Sequence, residues 1–290
     1  MGGDFFVLKS FCIKTNNKKI LAYLLNEFEN VNLKNLYISS SKFKIYNNFI
    51  VHYKGKNLDV FYSIFSNILS SCIIKFYEKD IIKHIINCNY FYFTDIEQRK
   101  IFDIVTSYLT NNELDECLIR KSSIEISCIE YFSNHKSVIL DGFVNFRINN
   151  YIKMLDYIVD LGVNKFVIDR EYLEFIDILK CYINSREYGT NLVHLIYNSQ
   201  ESTLLDEFKN IINIEDSALD SKIVSDISFS SNDYTLNALL TLLPKKIYIH
   251  LVDNNEDEFI NTIKLIFDSR VLICNDCNIC KAYKLMEINK

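Results

Sequence analysis

The sequence predicts an α+β protein with a helix-dominated centre, a long helical hairpin, flanked by small mixed α/β sheets at the N- and C-terminal ends. Apolar residues recur every three or four positions through most of the region between residues 58 and 187, which is the period of a helix face. Short runs rich in Val, Ile, Tyr and Phe lie at both ends and are typical of strands. We therefore divide the chain into a small basic α/β piece (1–57), a helical core (58–187) and an α/β piece (188–290).

The N-terminal segment predicts strands over residues 5–11, 36–39, 42–46 and 49–53, with a helix over 16–28. Residues 1–56 carry nine lysines against three acidic residues, a net charge of +6, in a chain whose net charge is −5. The alternation of Lys42 and Lys44 with Phe43 and Ile45 predicts a half-buried strand with its lysines in solvent. A basic face for nucleic acid is the alternative, which the overall net charge disfavours.

The central segment predicts helices over 58–86, 95–109 and 113–132. Thr94 and Glu97 have the spacing of a capping box at the start of the second helix. The aromatic patch at 90–93 is interpreted as a core-facing connection, with a base-stacking platform as the alternative. Residues 140–183 predict a helical hairpin or one bent long helix, because the apolar stripe continues past Gly162 and is interrupted at 169–170.

The C-terminal segment predicts strands over 192–197, 223–229, 247–251 and 271–274 and helices over 234–243 and 256–267. Pro244 ends the first of these helices, since the residue before a proline avoids helical geometry. The order strand, helix, strand predicts a parallel pair of strands near the C-terminus.

The sharpest chemical signal is the C-x-x-C-x-x-C run of Cys274, Cys277 and Cys280, which follows a predicted strand. Thiolates at this spacing can surround one metal, but zinc and cubane clusters usually take four protein ligands. His250 is the tentative fourth ligand, with His194, another cysteine or a second chain as alternatives. An iron–sulfur cluster, a structural zinc ion, a reversible cysteine pair and a run of reduced thiols all remain open.

Charged residues on the apolar central helices form a second candidate cluster. Glu171 and Glu174 lie three apart on one helix face, and we expect them to form a structural ion pair with Arg147. No catalytic residue is predicted, because the chain has no phosphate-binding glycine loop, nucleophile elbow, metalloprotease helix or dinucleotide fingerprint. Whether the protein is an enzyme is therefore left uncertain, with a non-catalytic role favoured.

The composition indicates a cytoplasmic protein. The first residues lack the pattern of a secretory signal, and charges interrupt the most apolar stretch, 58–93, so no membrane span is expected. The nine cysteines are an odd number and are expected to be reduced thiols. A protein is the expected partner, nucleic acid is not expected, and a small-molecule ligand is unknown.

Four segments, taken in order, resemble the YtxC family, named as putative sporulation proteins of endospore-forming Firmicutes. They are residues 141–147 (DGFVNFR), 171–176 (EYLEFI), 244–250 (PKKIYIH) and the closing Cys274, Cys277 and Cys280. The resemblance covers roughly residues 115–282. It implies a role in sporulation through protein binding, without a reaction or substrate. A metal- or cluster-dependent redox sensor and a weak nucleic-acid binder are the two alternative hypotheses.

Overall fold

A computed structural model describes residues 7–111, 115–198, 201–212, 230–253, 255–274 and 276–288. The chain divides into two compact units, Met1–Ile168 and Asp169–Lys290. The division into three segments at residues 57 and 187 stays a prediction. The α+β class with a long helical centre is confirmed, with two four-stranded sheets among the described residues.

The elements follow one another in chain order, and their bounds in the first part of the chain are β1 (Val7–Thr15), α1 (Lys18–Glu29), β2 (Leu36–Phe43), β3 (Tyr46–Gly55), α2 (Leu58–Asn89), α3 (Asp95–Asn111), α4 (Asp115–Asn134), β4 (Ser137–Ile139), α5 (Leu140–Arg147) and α6 (Asn149–Asn184). The remaining elements are β5 (Thr190–Asn198), β6 (Glu201–Leu205), α7 (Ser231–Leu242), β7 (Pro244–Leu251), α8 (Glu258–Phe267), β8 (Val271–Ile273) and α9 (Asn278–Ile288).

The first sheet has the strand order β2-β3-β1-β4. Its central strand β1 is antiparallel to β3 and parallel to the short β4, which no sequence pattern predicted. Alternate residues of β1, including Phe11 and Ile13, are buried in the core of the first unit. The ring of Phe11 lies within 5.5 Å of the rings of Phe61 and Phe65 of α2, centroid to centroid, and 4.8 Å from that of Phe132 of α4. These aromatic contacts attach the helical centre to the sheet.

One expectation about the first unit is wrong, and a second holds only in part. The predicted strand over 42–46 is instead the end of a hairpin: residues 44–45 form the turn between β2 and β3, Lys44 has a φ of 54°, and Phe43 and Ile45 are 64% and 72% exposed. The aromatic patch is only partly a core connection, because Phe93 is buried whereas Phe91 is 75% exposed. In both places the residues lie where one element ends and the next begins, and an alternation in the sequence then no longer defines an inner face.

The capping box that starts α3 is confirmed. The backbone N–H of Thr94 donates to Oε2 of Glu97 at 2.8 Å, and the N–H of Glu97 donates to Oγ1 of Thr94 at 3.4 Å. These bonds satisfy two of the free amides at the helix start.

Helix α2 is the described helix that is long and apolar enough to cross a membrane by length and composition. Of its most apolar 18-residue window, 44% is buried inside the protein, and Phe61, Phe65 and Leu69 lie in the core. It also carries the buried Glu78, which accepts a hydrogen bond from Tyr151 of α6 at 2.6 Å. Core helices of globular proteins pass the same length and composition test, and this burial is that of a core helix.

The stretch predicted as a hairpin or a bent long helix is a short α5 followed by one continuous helix, α6, of 36 residues. The helix passes through Gly162, where an added Cβ would meet Cγ2 of Val105 at 2.5 Å. Glycine therefore permits the close approach of α3 rather than ending the helix. Arg170 and Glu174 form an ion pair at 3.7 Å with the spacing of one helical turn, which is compatible with an uninterrupted helix.

The second sheet has the strand order β6-β5-β7-β8. Strands β5, β7 and β8 are parallel, so the predicted parallel pair is confirmed and extended by a third strand. Buried Ile247 and Ile249 of β7 contribute one face to the core that α7 and α8 also line. Pro244 follows the end of α7 and begins β7, as predicted. The strand predicted over 223–229 lies outside the described residues.

Candidate metal centre

Four side chains of the second unit converge on one point. The ligand-capable atoms of His250, Cys274, Cys277 and Cys280 all lie within 4.8 Å of one another. His250 and Cys280 are each 2% exposed, and the other two cysteines are half-buried. The structure thus brings together the three cysteines of the run and the histidine chosen from the sequence as their fourth partner.

The parallel pairing of β7 and β8 places the first two of these residues side by side. Ile249 pairs with Ile273, and the N–H of Cys274 continues the ladder by donating to the carbonyl oxygen of Ile249 at 2.8 Å. His250 follows Ile249 on β7, so it is next to Cys274 across the two strands. Because neighbouring residues of a strand point to opposite faces, His250 lies on the face opposite to the buried Ile249.

The chain then reverses into α9, which supplies the other two cysteines. Asp276 has a φ of 58°, a left-handed conformation that aspartate tolerates better than most residues. The carbonyl oxygen of Cys277 accepts the N–H of Lys281 at 3.1 Å, so Cys277 is the residue that begins the helix. Cys280 lies one turn later, and the spacing of three brings both sulfur atoms to the same side.

The distances within the cluster are those of ligands that share one ion. Sγ of Cys280 lies 3.9 Å from Sγ of Cys277 and 3.8 Å from Sγ of Cys274. Nδ1 of His250 lies 3.3 Å from Sγ of Cys280 and 3.4 Å from Sγ of Cys277. Around one tetrahedral zinc ion with bonds of ordinary length, two sulfur ligands lie about 3.8 Å apart. A sulfur ligand and a nitrogen ligand lie about 3.5 Å apart. The four side chains therefore fit a tetrahedral Cys3His site.

The same distances disfavour a cubane iron–sulfur cluster. In such a cluster each thiolate binds a different iron, so the sulfur atoms of the ligands stand much further apart than around one ion. Thiolate and imidazole together suit zinc, whose structural sites are four-coordinate.

The start of α9 makes the thiols chemically unequal. Burial by itself raises the pKa of Cys277, but the backbone N–H of Cys280, the Cys274 side chain and the N–H of Ile279 outweigh it and lower that pKa. Burial raises the pKa of Cys280 to about 11. Cys277 thus becomes a thiolate more readily than Cys280, because amides at a helix start stabilise negative charge.

His250 is a neutral imidazole at physiological pH. Burial, and secondarily the charge of His194, lower its pKa to about 4. Its Nε2 lies 2.9 Å from Nδ1 of His194 on β5, so Nδ1 is the nitrogen that faces the cysteines. A hydrogen bond to the outer nitrogen is how metal-binding histidines are usually oriented. Of the two histidines considered from the sequence, His250 faces the cysteines and His194 lies behind it.

A small apolar cluster lies next to the four ligands. Ile279 and Tyr283 of α9 pack against three buried residues of the second sheet and the loop after β7, which are Ile196, Leu205 and Val252. Lys284 forms an ion pair with Asp276 at 3.3 Å. Among the described side chains of α9, these contacts and those of the cysteines connect the helix to the sheet.

The residues of the predicted ion pair have other contacts in the structure. Arg147 lies with its guanidinium carbon 5.9 Å from the centre of the Tyr131 ring, and Glu174 pairs with Arg170. The pairing of Arg147 with Glu171 and Glu174 stays a prediction.

Comparison with known proteins identifies the family. The model of the YtxC-like family matches residues 63–272, which is more than two thirds of the chain. The chain belongs to the YtxC-like family. Among curated proteins, the chain is similar to the uncharacterized protein YtxC of Bacillus subtilis (strain 168), with 25% identity over 191 residues. That match covers 62% of this chain and 65% of the relative, a little under two thirds of the relative's own length. No solved structure matches the chain.

The YtxC-like match includes His250 but ends two residues before Cys274. The membership therefore confirms the resemblance found in the sequence without assigning any role to the cysteine run. Sequence reasoning missed how His194 contacts His250, since the two residues are 56 positions apart and meet only through the pairing of β5 with β7.

Proposed function

We propose that this YtxC-like protein binds one zinc ion through Cys274, Cys277, Cys280 and His250, and that the ion fixes α9 to the second sheet. The observation that carries the proposal is that four ligand atoms lie within 4.8 Å of one another, although they come from β7, the end of β8 and the start of α9. Such a convergence is expected of a structural zinc site.

The fold gives a reason for the ion. Among the side chains of α9 that the structure describes, the apolar Ile279 and Tyr283 contact a three-residue buried cluster. A bound ion would form three bonds to the cysteines of the Cys274–Cys280 segment and one bond to His250 of β7. It would therefore link that segment to the sheet. Zinc binding would in this way contribute directly to the folding free energy of the second unit.

The test is metal analysis of protein purified without oxygen and without a histidine tag. We expect one zinc per chain, and an absorption spectrum typical of tetrahedral thiolate ligation when cobalt replaces zinc. Cys277→Ser should reduce bound zinc at least tenfold. Cys181→Ser is the matched control, because Cys181 is an exposed thiol on α6.

Three outcomes would contradict the proposal in different ways. Stoichiometric iron with sulfide would indicate an iron–sulfur protein, and a Cys277–Cys280 disulfide in metal-free protein would indicate a redox pair. Freely titrating thiols without metal would leave the cysteine run without a special role.

The position of α9 is tested separately by hydrogen exchange. A chelator should accelerate exchange in 278–288 and leave 58–89 unchanged.

We further propose that the protein acts in sporulation by binding another protein in the cytoplasm. The resemblance of four segments to a family named as putative sporulation proteins supports the biological context. Phe175 and Ile178 of α6 support the mode of action, because they lie three positions apart on one helix face and are 51% and 65% exposed. Exposed apolar groups on one helix are common at protein interfaces.

This second proposal predicts a loss of spores when the gene is deleted. Restoring the wild-type gene should recover spore formation, and restoring a Phe175→Ser, Ile178→Ser double variant should not. Lys153→Ser is the control for an exposed position on the same helix. Normal sporulation of the deletion strain would refute the biological role, and normal sporulation of the double variant would refute the interface.

A further inference from the structure

The first unit contains a cleft that lies between β1, β4 and α5. Its volume is about 460 Å³, within the range of pockets that bind small molecules. Residues of four elements line it: Lys14, Tyr131, Ser137, Val138, Ile139, Gly142, Phe143, Phe146 and Arg147.

The charge of the cleft has one sign. Lys14 of β1 and Arg147 of α5 are both among its lining residues, and no carboxylate is. The acidic residue of α5, Asp141, accepts a hydrogen bond from the hydroxyl of Tyr77 on α2 at 2.6 Å and is not part of the lining. Two cations in a lining whose described residues include no carboxylate favour an anionic ligand.

The aromatic ring beside Arg147 is held in place. Arg147 lies over the ring of Tyr131, with the guanidinium carbon 5.9 Å from the ring centre. That ring stacks on His135 at 4.4 Å between centres, with 11° between the planes, and its hydroxyl donates to the carbonyl oxygen of Ser137 at 3.2 Å. A cation placed over a fixed ring loses less conformational entropy when it binds a ligand.

The remaining lining residues offer an apolar surface. Phe146 is 73% exposed and Ile139 is 43% exposed, whereas Phe143 and Val138 are buried. At Gly142 an added Cβ would meet no atom within 4 Å, so the backbone of α5 is open on this side. An exposed aromatic ring beside two cations suits a ligand that carries a planar ring and an anionic group.

We infer that this cleft binds a small phosphorylated ligand with a planar ring, of the size of a mononucleotide. Lys14 and Arg147 bind the phosphate, and Phe146 contacts the ring. A phosphate monoester carries between one and two negative charges at neutral pH, whereas a carboxylate carries one. The two positive charges of the cleft are therefore better balanced by a phosphate monoester than by a carboxylate. Arginine is suited to this role because its guanidinium forms paired hydrogen bonds with phosphate oxygens.

The experiment is calorimetric titration of the whole protein as purified, using the four ribonucleoside monophosphates, inorganic phosphate and adenosine. We expect at least one monophosphate to bind saturably and more tightly than phosphate, with adenosine weakest. Lys14→Gln and Arg147→Gln should each weaken that monophosphate at least tenfold. Phe146→Ala should weaken the monophosphate and leave phosphate binding unchanged.

Lys153→Gln is the control, because Lys153 is an exposed lysine outside the cleft lining. Circular dichroism confirms that each variant keeps its fold, which is expected since Arg147 and Phe146 are exposed. The inference is overturned if no monophosphate saturates the protein at millimolar concentration. It is also overturned if binding is unchanged in both charge variants or weakens equally in Lys153→Gln.

Discussion

Nδ1 of His194 and Nε2 of His250 lie 2.9 Å apart across the parallel strands β5 and β7. One of the two nitrogens must carry the shared proton. If His250 binds a metal through Nδ1, its Nε2 carries the hydrogen and donates it to His194. His194 is therefore a positioning residue for the proposed zinc site, although it contacts no cysteine among the hydrogen bonds described.

Replacement of His194 should weaken zinc binding without abolishing it. We expect His194→Ala to lower zinc affinity by about 10- to 100-fold, the usual effect of losing the hydrogen bond that orients a metal-binding histidine. His194→Gln should recover part of the affinity, because its amide oxygen can accept the proton of His250. Competition with a coloured chelator measures both. Equal affinity in wild type and His194→Ala would show that the two imidazoles are only neighbours.

Zinc affinity should rise with pH through the neutral range. The pKa of Cys280 is raised to about 11 by burial, so zinc must displace its proton at neutral pH. The pKa of His250 is lowered to about 4, so that residue is already neutral and releases no proton. We expect affinity to increase about tenfold or more per pH unit from pH 6 to 8, without a change of slope near 6.5. Calorimetry in two buffers of different ionisation enthalpy should show proton release, and a pH-independent affinity would contradict this thiol chemistry.

Two glycines in helices should respond to alanine in opposite directions. At Gly162 of α6 a Cβ would meet Cγ2 of the buried Val105 at 2.5 Å, and valine is too stiff to move away. We expect Gly162→Ala to lower the free energy of unfolding by about 1–3 kcal/mol. At Gly142 of α5 a Cβ meets nothing within 4 Å, so Gly142→Ala should raise it by about 0.5–1 kcal/mol. Urea denaturation measures both, and a stabilising Gly162→Ala would show that α3 can shift.

The fold was predictable where the signal is local, and less so where it depends on distant residues. The Thr94–Glu97 capping box and the strand after Pro244 are short-range patterns, and both are confirmed. The continuity of α6 was left open, because the sequence around Gly162 cannot show that Val105 of another helix occupies the missing side-chain space. Long-range contacts of this kind have no periodic signature.

The candidate metal centre follows the same rule. The spacing of the three cysteines identified the cysteine part, since helix geometry alone brings Cys277 and Cys280 together. His250 was the tentative fourth residue in the sequence, with alternatives, and the pairing of β7 with β8 is what places it beside Cys274. The cleft went unnoticed in the sequence, because Lys14 and Arg147 are 133 positions apart and lie near one another only through the pairing of β1 with β4.

The buried carboxylate of Glu78 should be the most sensitive charge in the first unit. Glu78 of α2 accepts a hydrogen bond from Tyr151 at 2.6 Å, and Nε of Arg120 of α4 lies 3.5 Å from the same oxygen. Burial, and then the Glu78 charge, raise the pKa of Tyr151 well above its usual range, so its hydroxyl remains a donor. Arg120→Met would leave this carboxylate buried without its cation, and we expect a loss of about 3–5 kcal/mol in the free energy of unfolding.

A variant that also removes the charge of Glu78 distinguishes the lost ion pair from lost packing. Arg120→Met combined with Glu78→Gln should be more stable than Arg120→Met alone, because no unpaired charge is then buried. Tyr151→Phe should cost about 1–3 kcal/mol, the usual value for a hydrogen bond to a charged group. Arg99→Met on α3 is the control for an exposed arginine and should change stability by less than about 0.5 kcal/mol. If the double variant is no more stable than Arg120→Met, the guanidinium stabilises α4 through its other bond, to the carbonyl oxygen of Leu109 at 2.8 Å, and not through Glu78.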